Sequence, residues 1–487
     1  MKFKWLHKSS LLVVSSLLLI AGCSGGPAKE SQKEQQSLKI MFGDEGYFYM
    51  TYGDLFTMKY PNIDIEVVST QNLYNGEQQD YKKAYKDFVE KEQPDIIMLD
   101  TDNYDSFASE GQLMELDTLI DRDKYDTSTI FPGLIDLLKE RAGGKLYGLA
   151  PSFYGNAIYY NADLFAKYGV EVPHDGMTWQ ELIDTARRFP VEGDEKTRIY
   201  GFGEQYGGMT LENLASRIAS TQGLQAINPN TMKVTLNTDS WKQAYKTAFD
   251  ALESNAIYSP KDGGFQGGSM EEYYQSQPFL MGRMAMTMDG SYFLQNFKQA
   301  KSAIKDYKPF QLGIVAGPVD PATPDQTRDI YFGRILSIRA NSPNVDAAWE
   351  FIKFVNGDEY AKIKSRTMND GVLSRMGATK EYDGISLEPF YKLKPMFDNS
   401  NQNMDKIPGE FYQKYQPIVS REMDLVQKKS KSIDEALRTI EQEGQAQLDI
   451  AVKEQANKKK SDASGNESAG GGAAAETSVT VESDSAE

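Results

Sequence analysis

The chain has 487 residues, of which 40% are hydrophobic, 25% charged and 11% aromatic. This composition supports packed cores and two or three domains, and it excludes a wholly disordered chain. The 53 basic and 70 acidic residues leave a formal charge of −17, which disfavours nucleic acid as a partner because phosphate contacts need a basic surface. One cysteine excludes an intramolecular disulfide, and two histidines disfavour a His-rich metal site or a Ser/His/Asp triad.

The first 22 residues have the pattern of an export signal. Lys2, Lys4 and Lys8 precede an apolar run, Ser9–Ala21, that is short for a membrane-spanning helix of about 20 residues. The run ends in Leu-Ile-Ala-Gly-Cys, which resembles the bacterial lipobox and implies lipidation of Cys23 after cleavage. The alternative is a signal anchor with a chance cysteine. The resemblance predicts a chain held by acyl groups at the extracytoplasmic face of the cell membrane.

Polar segments flank the folded body. Residues 23–37 have no hydrophobic periodicity and are expected to form a flexible tether. Residues 455–487 are rich in Gly, Ala, Ser and acids and are expected to be a disordered tail, since they cannot bury a core. The body is therefore predicted to span about residues 38–454.

The first part of the body alternates strand and helix patterns. The predicted strands are Leu38–Phe42, Ile63–Val68 and Pro94–Leu99, and the predicted helices are Phe48–Lys59, Tyr81–Glu92 and Asn103–Glu110. Continuously apolar strands separated by helices favour a parallel sheet that is covered on both faces.

A second unit follows, beginning with the apolar segment Ala157–Tyr160. Thr178 and Glu181 fit a capping box at the start of a mostly helical region. Later strands are predicted at Met284–Met288, Gln311–Val315 and Ile335–Ile338, and helices at Asn344–Val355 and Met423–Ile450, the last interrupted at Lys428–Ser432. Helical context predicts that the three tryptophans of the body, Trp179, Trp241 and Trp349, are core residues.

A series of short stretches along residues 38–454 carries a family resemblance. They are Pro94–Asp100, Gly144–Leu149, Tyr159–Asn161, Asp163–Phe165, Thr178–Leu182, Phe279–Met286, Asp289–Tyr292, Ala347–Phe354 and Ile433–Leu437. In this order they resemble the carbohydrate-type extracellular solute-binding proteins of ABC importers, the family that includes maltose-binding protein. Each stretch is weak by itself, and their order behind a lipobox is the specific signal.

The resemblance implies an α/β protein with the periplasmic-binding-protein type II fold, in which a hinge joins two α/β lobes around an interlobe cleft. It implies an N-lobe of residues 38–152 plus 338–387 and a C-lobe of residues 156–332 plus 396–454. The crossings would lie near residues 152–156, 333–337 and 388–395. Because ligands of open α/β sheets bind beyond the carboxyl ends of strands, the cleft is the expected site and its closure a hinge motion.

Four acids follow predicted strands and are candidate ligand residues. Asp44 and Glu45 follow the first strand, and Asp100 and Asp102 follow the third. Their carboxylates are able to accept hydrogen bonds from sugar hydroxyls. The alternatives are helix starts, where acids favour the dipole, and for Asp102 a helix cap. A calcium loop at residues 100–105 is disfavoured because Tyr104 stands where an oxygen ligand is needed.

Five further candidates come from the family pattern. Tyr154 matches a polar contact position, Asp289 precedes the Gly-Ser-Tyr stretch, and Tyr292 matches an aromatic, often Trp, that stacks on a sugar face. Arg334 is a candidate bidentate donor to a carboxylate or hydroxyl pair of the ligand, and the alternative role is an interlobe salt bridge. Tyr415, like the neighbouring Tyr412, falls near another aromatic position of the family or in the core.

The leading interpretation is a non-catalytic receptor, expected to be a monomer without cofactor or metal. It would bind a small solute, a sugar or oligosaccharide, and deliver it to the permease of an ABC transporter. Because candidate acids outnumber the one candidate arginine, a cationic or amine-bearing solute stays open. A secreted glycan hydrolase with paired carboxylates is an alternative of another class, although among 70 acids no pair is distinctive. A third interpretation is an extracellular adhesin or the partner of a sensor protein.

Overall fold

The computed structural model describes residues 34–74, 81–194, 197–204, 208–260, 265, 267–378, 380–396 and 403–467. The predicted export signal, Cys23 and most of the predicted tether lie outside the described residues, as do residues 468–487. Within the described ranges, no helix combines the length and the apolar character that a membrane crossing needs.

The strands are mostly short, and two mixed sheets contain the long ones. They are β1 (Gln36–Phe42), β2 (Ile63–Ser69), β3 (Ile96–Leu99), β4 (Gly148–Leu149), β5 (Ser152–Asn161), β6 (Tyr200–Gly203), β7 (Ile227–Asn228), β8 (Lys233–Val234), β9 (Met284–Gly290), β10 (Leu312–Val315), β11 (Gln326–Thr327), β12 (Ile330–Tyr331), β13 (Ile335–Ile338), β14 (Val372–Leu373), β15 (Glu381–Tyr382), β16 (Ile385–Ser386) and β17 (Lys394–Pro395).

The helices cover the sheets and end the body. They are α1 (Glu45–Phe48), α2 (Asp54–Lys59), α3 (Tyr81–Glu92), α4 (Thr101–Ser109), α5 (Asp117–Asp123), α6 (Pro132–Arg141), α7 (Ala162–Tyr168), α8 (Trp179–Ala186), α9 (Leu211–Thr221), α10 (Asp239–Glu253), α11 (Met270–Gln275), α12 (Phe293–Ala303), α13 (Val345–Val355), α14 (Asp358–Lys364), α15 (Gly409–Gln427) and α16 (Ile433–Glu467). A π-helical turn, Tyr49–Gly53, joins α1 to α2, and 3₁₀ turns span Gln71–Tyr74, Glu388–Tyr391 and Met404–Lys406.

The first sheet has the strand order β2-β1-β3-β13-β4. The strands β1, β2 and β3 are parallel, as the alternating pattern predicts, with Ile40 opposite Ile96. Strand β13 comes from much later in the chain and pairs antiparallel with β3, so Ile335 lies opposite Leu99. The predicted parallel sheet is therefore mixed at its far side.

The second sheet has the order β10-β5-β9-β6, and its long strand β5 connects the two sheets. The first residues of β5 pair with β14 and β12, whereas Asn156–Tyr160 pair with β9. Strands β6 and β9 are parallel. The chain thus passes from one sheet to the other along β5, and β12 pairs with Tyr154 and Gly155 at the predicted first crossing.

Two hydrophobic cores support the sheets. The first covers the β1–β3 sheet and continues through Phe153, Tyr159 and Phe293 to one face of the second sheet. The other packs α8, α9, α10, α15 and α16 on the second sheet. The predicted core tryptophans are confirmed, with exposed fractions of 5% for Trp179, 4% for Trp241 and none for Trp349.

Several local predictions are confirmed by the structure. Helix α3 has the predicted bounds, Thr178 and Glu181 form the capping box of α8, and α13 buries its apolar face. The predicted interruption at Lys428–Ser432 separates α15 from α16.

Other boundaries need correction. The helix expected over Phe48–Lys59 begins earlier, at Glu45, because Asp44 caps it, and a π-helical turn interrupts it. Gly53 permits this turn, since a Cβ there would lie 2.6 Å from the Tyr49 ring. The tether is shorter than predicted because Gln36 already pairs with Ile63.

The C-terminal helical region is also longer than predicted. Helix α15 begins at Gly409 rather than Met423. Helix α16 continues to Glu467, so the first residues of the predicted disordered tail are helical. The lobe boundaries stay a prediction.

Candidate functional site

The ends of strands from both sheets meet beside the start of β5. Strands β1 and β3 end at Phe42 and Leu99, and β13 begins at the same edge of its sheet. In the second sheet, β6 ends at Gly203, and Gly290 at the end of β9 lies opposite Asn156 of β5. Loops beyond such strand ends are the usual ligand-binding position in open α/β sheets.

Arg334 organises the side of the site that belongs to the first sheet. Its guanidinium donates to the Tyr47 hydroxyl at 2.8 Å and to Asp370 Oδ1 at 3.3 Å. It also lies over the rings of Phe42 and Tyr47, at 5.4 and 5.1 Å. Its carboxylate partner lies in the loop before β14, so Arg334 forms the salt bridge of the alternative interpretation. Whether that bridge is interlobe stays a prediction.

Tyr52 and Lys364 complete this side. Burial raises the pKa of Tyr52 to about 12, and Arg334 acts against that rise, so the hydroxyl stays neutral. Lys364 Nζ lies 4.0 Å from Asp370 Oδ2. Burial lowers the pKa of Lys364, which Asp370 partly offsets. The arrangement is a half-buried polar cluster with one exposed ring, Tyr47.

Two stacked tyrosines occupy the crossing itself. The rings of Tyr154 and Tyr331 are nearly parallel, with centroids 5.2 Å apart. Tyr331 is 57% exposed and faces outward from the short β12 strand. Gly333 leaves room for the stack, because a Cβ there would lie 2.7 Å from the Tyr154 ring. The pair provides a flat apolar face of the kind that covers one side of a sugar ring.

Asp289 and Glu204 mark the ends of the parallel strands β9 and β6. Asp289 Oδ1 accepts from the Gly290 amide at 2.8 Å, whereas Oδ2 has no hydrogen-bond partner among the described residues. Burial raises the pKa of Asp289 to about 6, although the nearby Tyr292 hydroxyl and the Gly290 amide lower it. Burial also raises the pKa of Glu204, and its ion-pair partner Arg217 lowers it.

Tyr292 lies at the N-terminus of α12, beside Asp289, with 43% of its surface exposed. Burial raises the pKa of its hydroxyl, and the Asp289 carboxylate raises it further, so this hydroxyl is a neutral donor. The structure therefore brings together four of the predicted ligand residues, namely Tyr154, Asp289, Tyr292 and Arg334.

Three of the predicted acids are engaged in or beside helix starts. Asp44 caps α1 and accepts from the Tyr47 amide at 2.9 Å, and Glu45 is an exposed acid of its first turn. Asp100, not Asp102, caps α4 and accepts from the Asn103 amide at 2.8 Å. The structure thus corrects the predicted cap, and the ligand role of these acids stays a prediction.

Asp102 lines a cavity of about 480 Å³ beside α3, α4 and α6, together with Lys82, Asp105, Arg141 and Asn403. Its carboxylate is 3.5 Å from Arg141 Nη2. Burial raises the pKa of Asp102, as does the charge of Asp100. Lys82 also pairs with Asp405 at 3.0 Å.

Tyr415 is a correction to the predicted site. Its ring is buried in the core between α15 and α16, stacked on Phe411 at 4.9 Å and close to Gly444. Tyr412, one turn earlier, is 38% exposed and packs edge-on against Phe411. The terminal aromatic position of the family pattern is occupied here by a packing residue.

Sequence reasoning missed five residues of the assembled cluster: Tyr47, Glu204, Arg217, Tyr331 and Asp370. Glu204 directly follows a strand and had the same signal as Asp100. Tyr331 and Asp370 carried no signal, because their positions depend on pairing between segments remote in the chain.

Comparison with known proteins decides the family. The sequence profile of the bacterial extracellular solute-binding proteins matches residues 30–362 of the chain. This chain belongs to that family. Over 367 residues it is 25% identical to an arabinooligosaccharide-binding protein of Bacillus subtilis, with 73% of this chain and 76% of that protein covered.

Solved solute-binding proteins share its fold. A sugar transporter protein of Rhizobium etli, in an open conformation, superposes with a TM-score of 0.58 at 21% identity and covers 84% of this chain and 99% of its own. A family 1 extracellular solute-binding protein of Alicyclobacillus acidocaldarius gives a TM-score of 0.59 at 17% identity and covers 85% and 99%. The predicted two-lobed type II fold is confirmed.

Proposed function

We propose that this solute-binding protein is a lipid-anchored receptor for a sugar or oligosaccharide, which it binds in the interlobe cleft and delivers to the permease of an ABC transporter. One observation carries the proposal: exposed tyrosine rings and hydrogen-bonding groups converge where strand ends of both sheets meet. Tyr331, Tyr292 and Tyr47 offer apolar faces, while Asp289 and Arg334 lie beside them.

This combination suits a carbohydrate. A sugar ring has an apolar face of C–H groups and a polar edge of hydroxyls, so a flat aromatic ring covers one side while acceptors and donors bind the other. Closure of the hinge would then bury the ligand between groups from both lobes, and the closed state is favoured only by a ligand that contacts both.

The test of this proposal is equilibrium dialysis of the full-length protein against a library of mono- and oligosaccharides, with the unfolding temperature as a second readout. A bound solute raises this temperature by mass action, by an amount that grows with its concentration above the dissociation constant. Saturable binding of a saccharide without turnover supports the proposal. If no saccharide binds or stabilises the protein, or if the saccharide is cleaved, the proposal is wrong.

Replacing Tyr331 with alanine is expected to weaken saccharide binding about tenfold, since packing on an aromatic face contributes about 0.5–1.5 kcal/mol beyond the area that it buries. Stability should change by less than about 0.5 kcal/mol because the ring is largely exposed. Calorimetric titration measures the affinity. Tyr331→Phe keeps the ring and is the matched control, so an equal loss in both variants would contradict a stacking role.

The lipid anchor has its own test. Substitution of Cys23 by alanine is expected to release the protein from the membrane fraction, because it removes the thiol to which the acyl groups would attach. Fractionation of the expressing cells, followed by immunoblotting, measures the distribution. The matched control is Ser24→Ala, and retention of Cys23→Ala in the membrane fraction would disprove anchoring at this residue.

A further inference from the structure

Asp289 is the most unusual titratable group in the cleft. It lies at the end of β9, with only 6% of its surface exposed. One carboxylate oxygen accepts from the backbone at Gly290, and the other is buried without a hydrogen-bond partner among the described residues. Buried polar atoms are nearly always paired in folded proteins, so such an oxygen at a strand end needs an explanation.

The charged and titratable groups around Asp289 do not supply a counter-ion. Glu204, beyond the end of β6, is another acid, and Arg217 of α9 forms its ion pair with Glu204. Tyr159 of β5 donates its hydroxyl to the Gly290 carbonyl at 2.8 Å. The hydroxyl of Tyr292, the residue before α12, is near enough to lower the pKa of Asp289, yet Oδ2 has no hydrogen-bond partner among the described residues. When both acids are ionised, the charges of Asp289, Glu204 and Arg217 therefore sum to −1.

Closure of the hinge makes this uncompensated negative charge more unfavourable. Binding a neutral solute removes water from the cleft and leaves the carboxylate charge uncompensated, a situation that is strongly unfavourable in a buried site. A ligand ammonium would form a charge-assisted hydrogen bond to Oδ2. The neighbouring rings of Tyr292 and Tyr331 favour the same ligand, because aromatic faces attract cations.

We propose that the cleft selects a saccharide that carries a protonated amine, and that this ammonium group pairs with the free oxygen of Asp289. The proposal rests on the function proposed above and names the class of saccharide. Tyr331 and Tyr154 would cover the apolar face of the sugar ring, while Asp289 would bind the amine at its edge.

The experiment compares matched saccharides that differ in one group. Calorimetric titration of the full-length protein near pH 7 uses glucose, galactose and mannose, the 2-amino forms of these sugars, and the corresponding β-1,4-linked disaccharides, each with hydroxyl, amine or N-acetyl groups. The amine form is expected to bind at least about tenfold more tightly than its hydroxyl and N-acetyl counterparts. Asp289→Asn has nearly the same shape and is expected to abolish the preference.

A second arm needs no variant. Because burial places the pKa of Asp289 near 6, affinity for the amine form should fall as pH decreases through 6, while the affinity for a neutral sugar should not follow that titration. If neutral sugars bind as well as or better than amines, or if Asp289→Asn keeps the preference, the inference is overturned and the receptor function stands. If no member of the panel binds while another saccharide of the dialysis library does, the inference is overturned and the receptor function stands; if nothing in either set binds, both are overturned.

Discussion

Replacing Gly371 with alanine is expected to destabilise the protein by about 2–5 kcal/mol, the largest effect of a single methyl group that we expect near the cleft. Gly371 has φ +86, a conformation that side-chain-bearing residues rarely adopt, and an added Cβ would lie 2.4 Å from the Phe153 carbonyl oxygen. Since Phe153 belongs to the crossing strand β5 and Gly371 follows Asp370, this change would displace the partner of Arg334 as well.

Substitutions at two other glycines distinguish backbone strain from steric overlap of the added methyl group. Gly384→Ala keeps the positive φ, here +79, but meets no atom within 4 Å, so it is expected to lose only about 1 kcal/mol. Gly377→Ala has neither problem and should be within about 0.5 kcal/mol of the wild type. Urea denaturation measures all three. Equal stability of the Gly371 and Gly377 variants would show that β5 and the β14 loop are not in close contact.

Replacing Asp289 with asparagine is expected to stabilise the unliganded protein near pH 8 by about 1–3 kcal/mol, although it removes the ligand contact proposed above. Burial raises the pKa of Asp289 from 3.8 to about 6. A carboxyl whose pKa is raised in the folded state favours folding below its unfolded pKa, and this contribution is lost as pH rises through the folded value. The wild type should therefore weaken relative to the variant between about pH 4 and pH 6.

Urea denaturation at several pH values measures this difference. The control is Asp64→Asn, which changes an exposed carboxylate on the edge strand β2 and should not gain stability over this interval. A wild type that is more stable than Asp289→Asn near pH 8 would mean that Asp289 is already paired in the unliganded protein. That result would remove the basis for an amine-bearing ligand.

The sequence predicted the fold well where a strand or helix is defined by its own residues. Alternation in Ile63–Val68, the apolar spacing of Tyr81–Glu92 and the Thr178–Glu181 capping box all gave the observed elements. It failed where long-range pairing decides. The antiparallel place of β13 beside β3 and the mixed character of the first sheet follow from segments more than 200 residues apart, which local periodicity does not report.

The site shows the same division. The family pattern identified Asp289 and Tyr292, which lie at and just beyond the end of one strand. It did not separate a helix-capping acid such as Asp100 from a ligand residue, because both tasks use the same residue type at the same place. Tyr331 was missed because it becomes a cleft residue only by stacking on Tyr154.

A crystal structure of the full-length protein with the tightest-binding saccharide of the panel tests the central claim most directly. The solute is predicted to lie between the lobes, with its apolar face on Tyr331, and to contact Asp289 and Arg334 from opposite sides. A saccharide bound instead in the cavity beside Arg141 and Asn403, or elsewhere outside the cleft, would contradict the account.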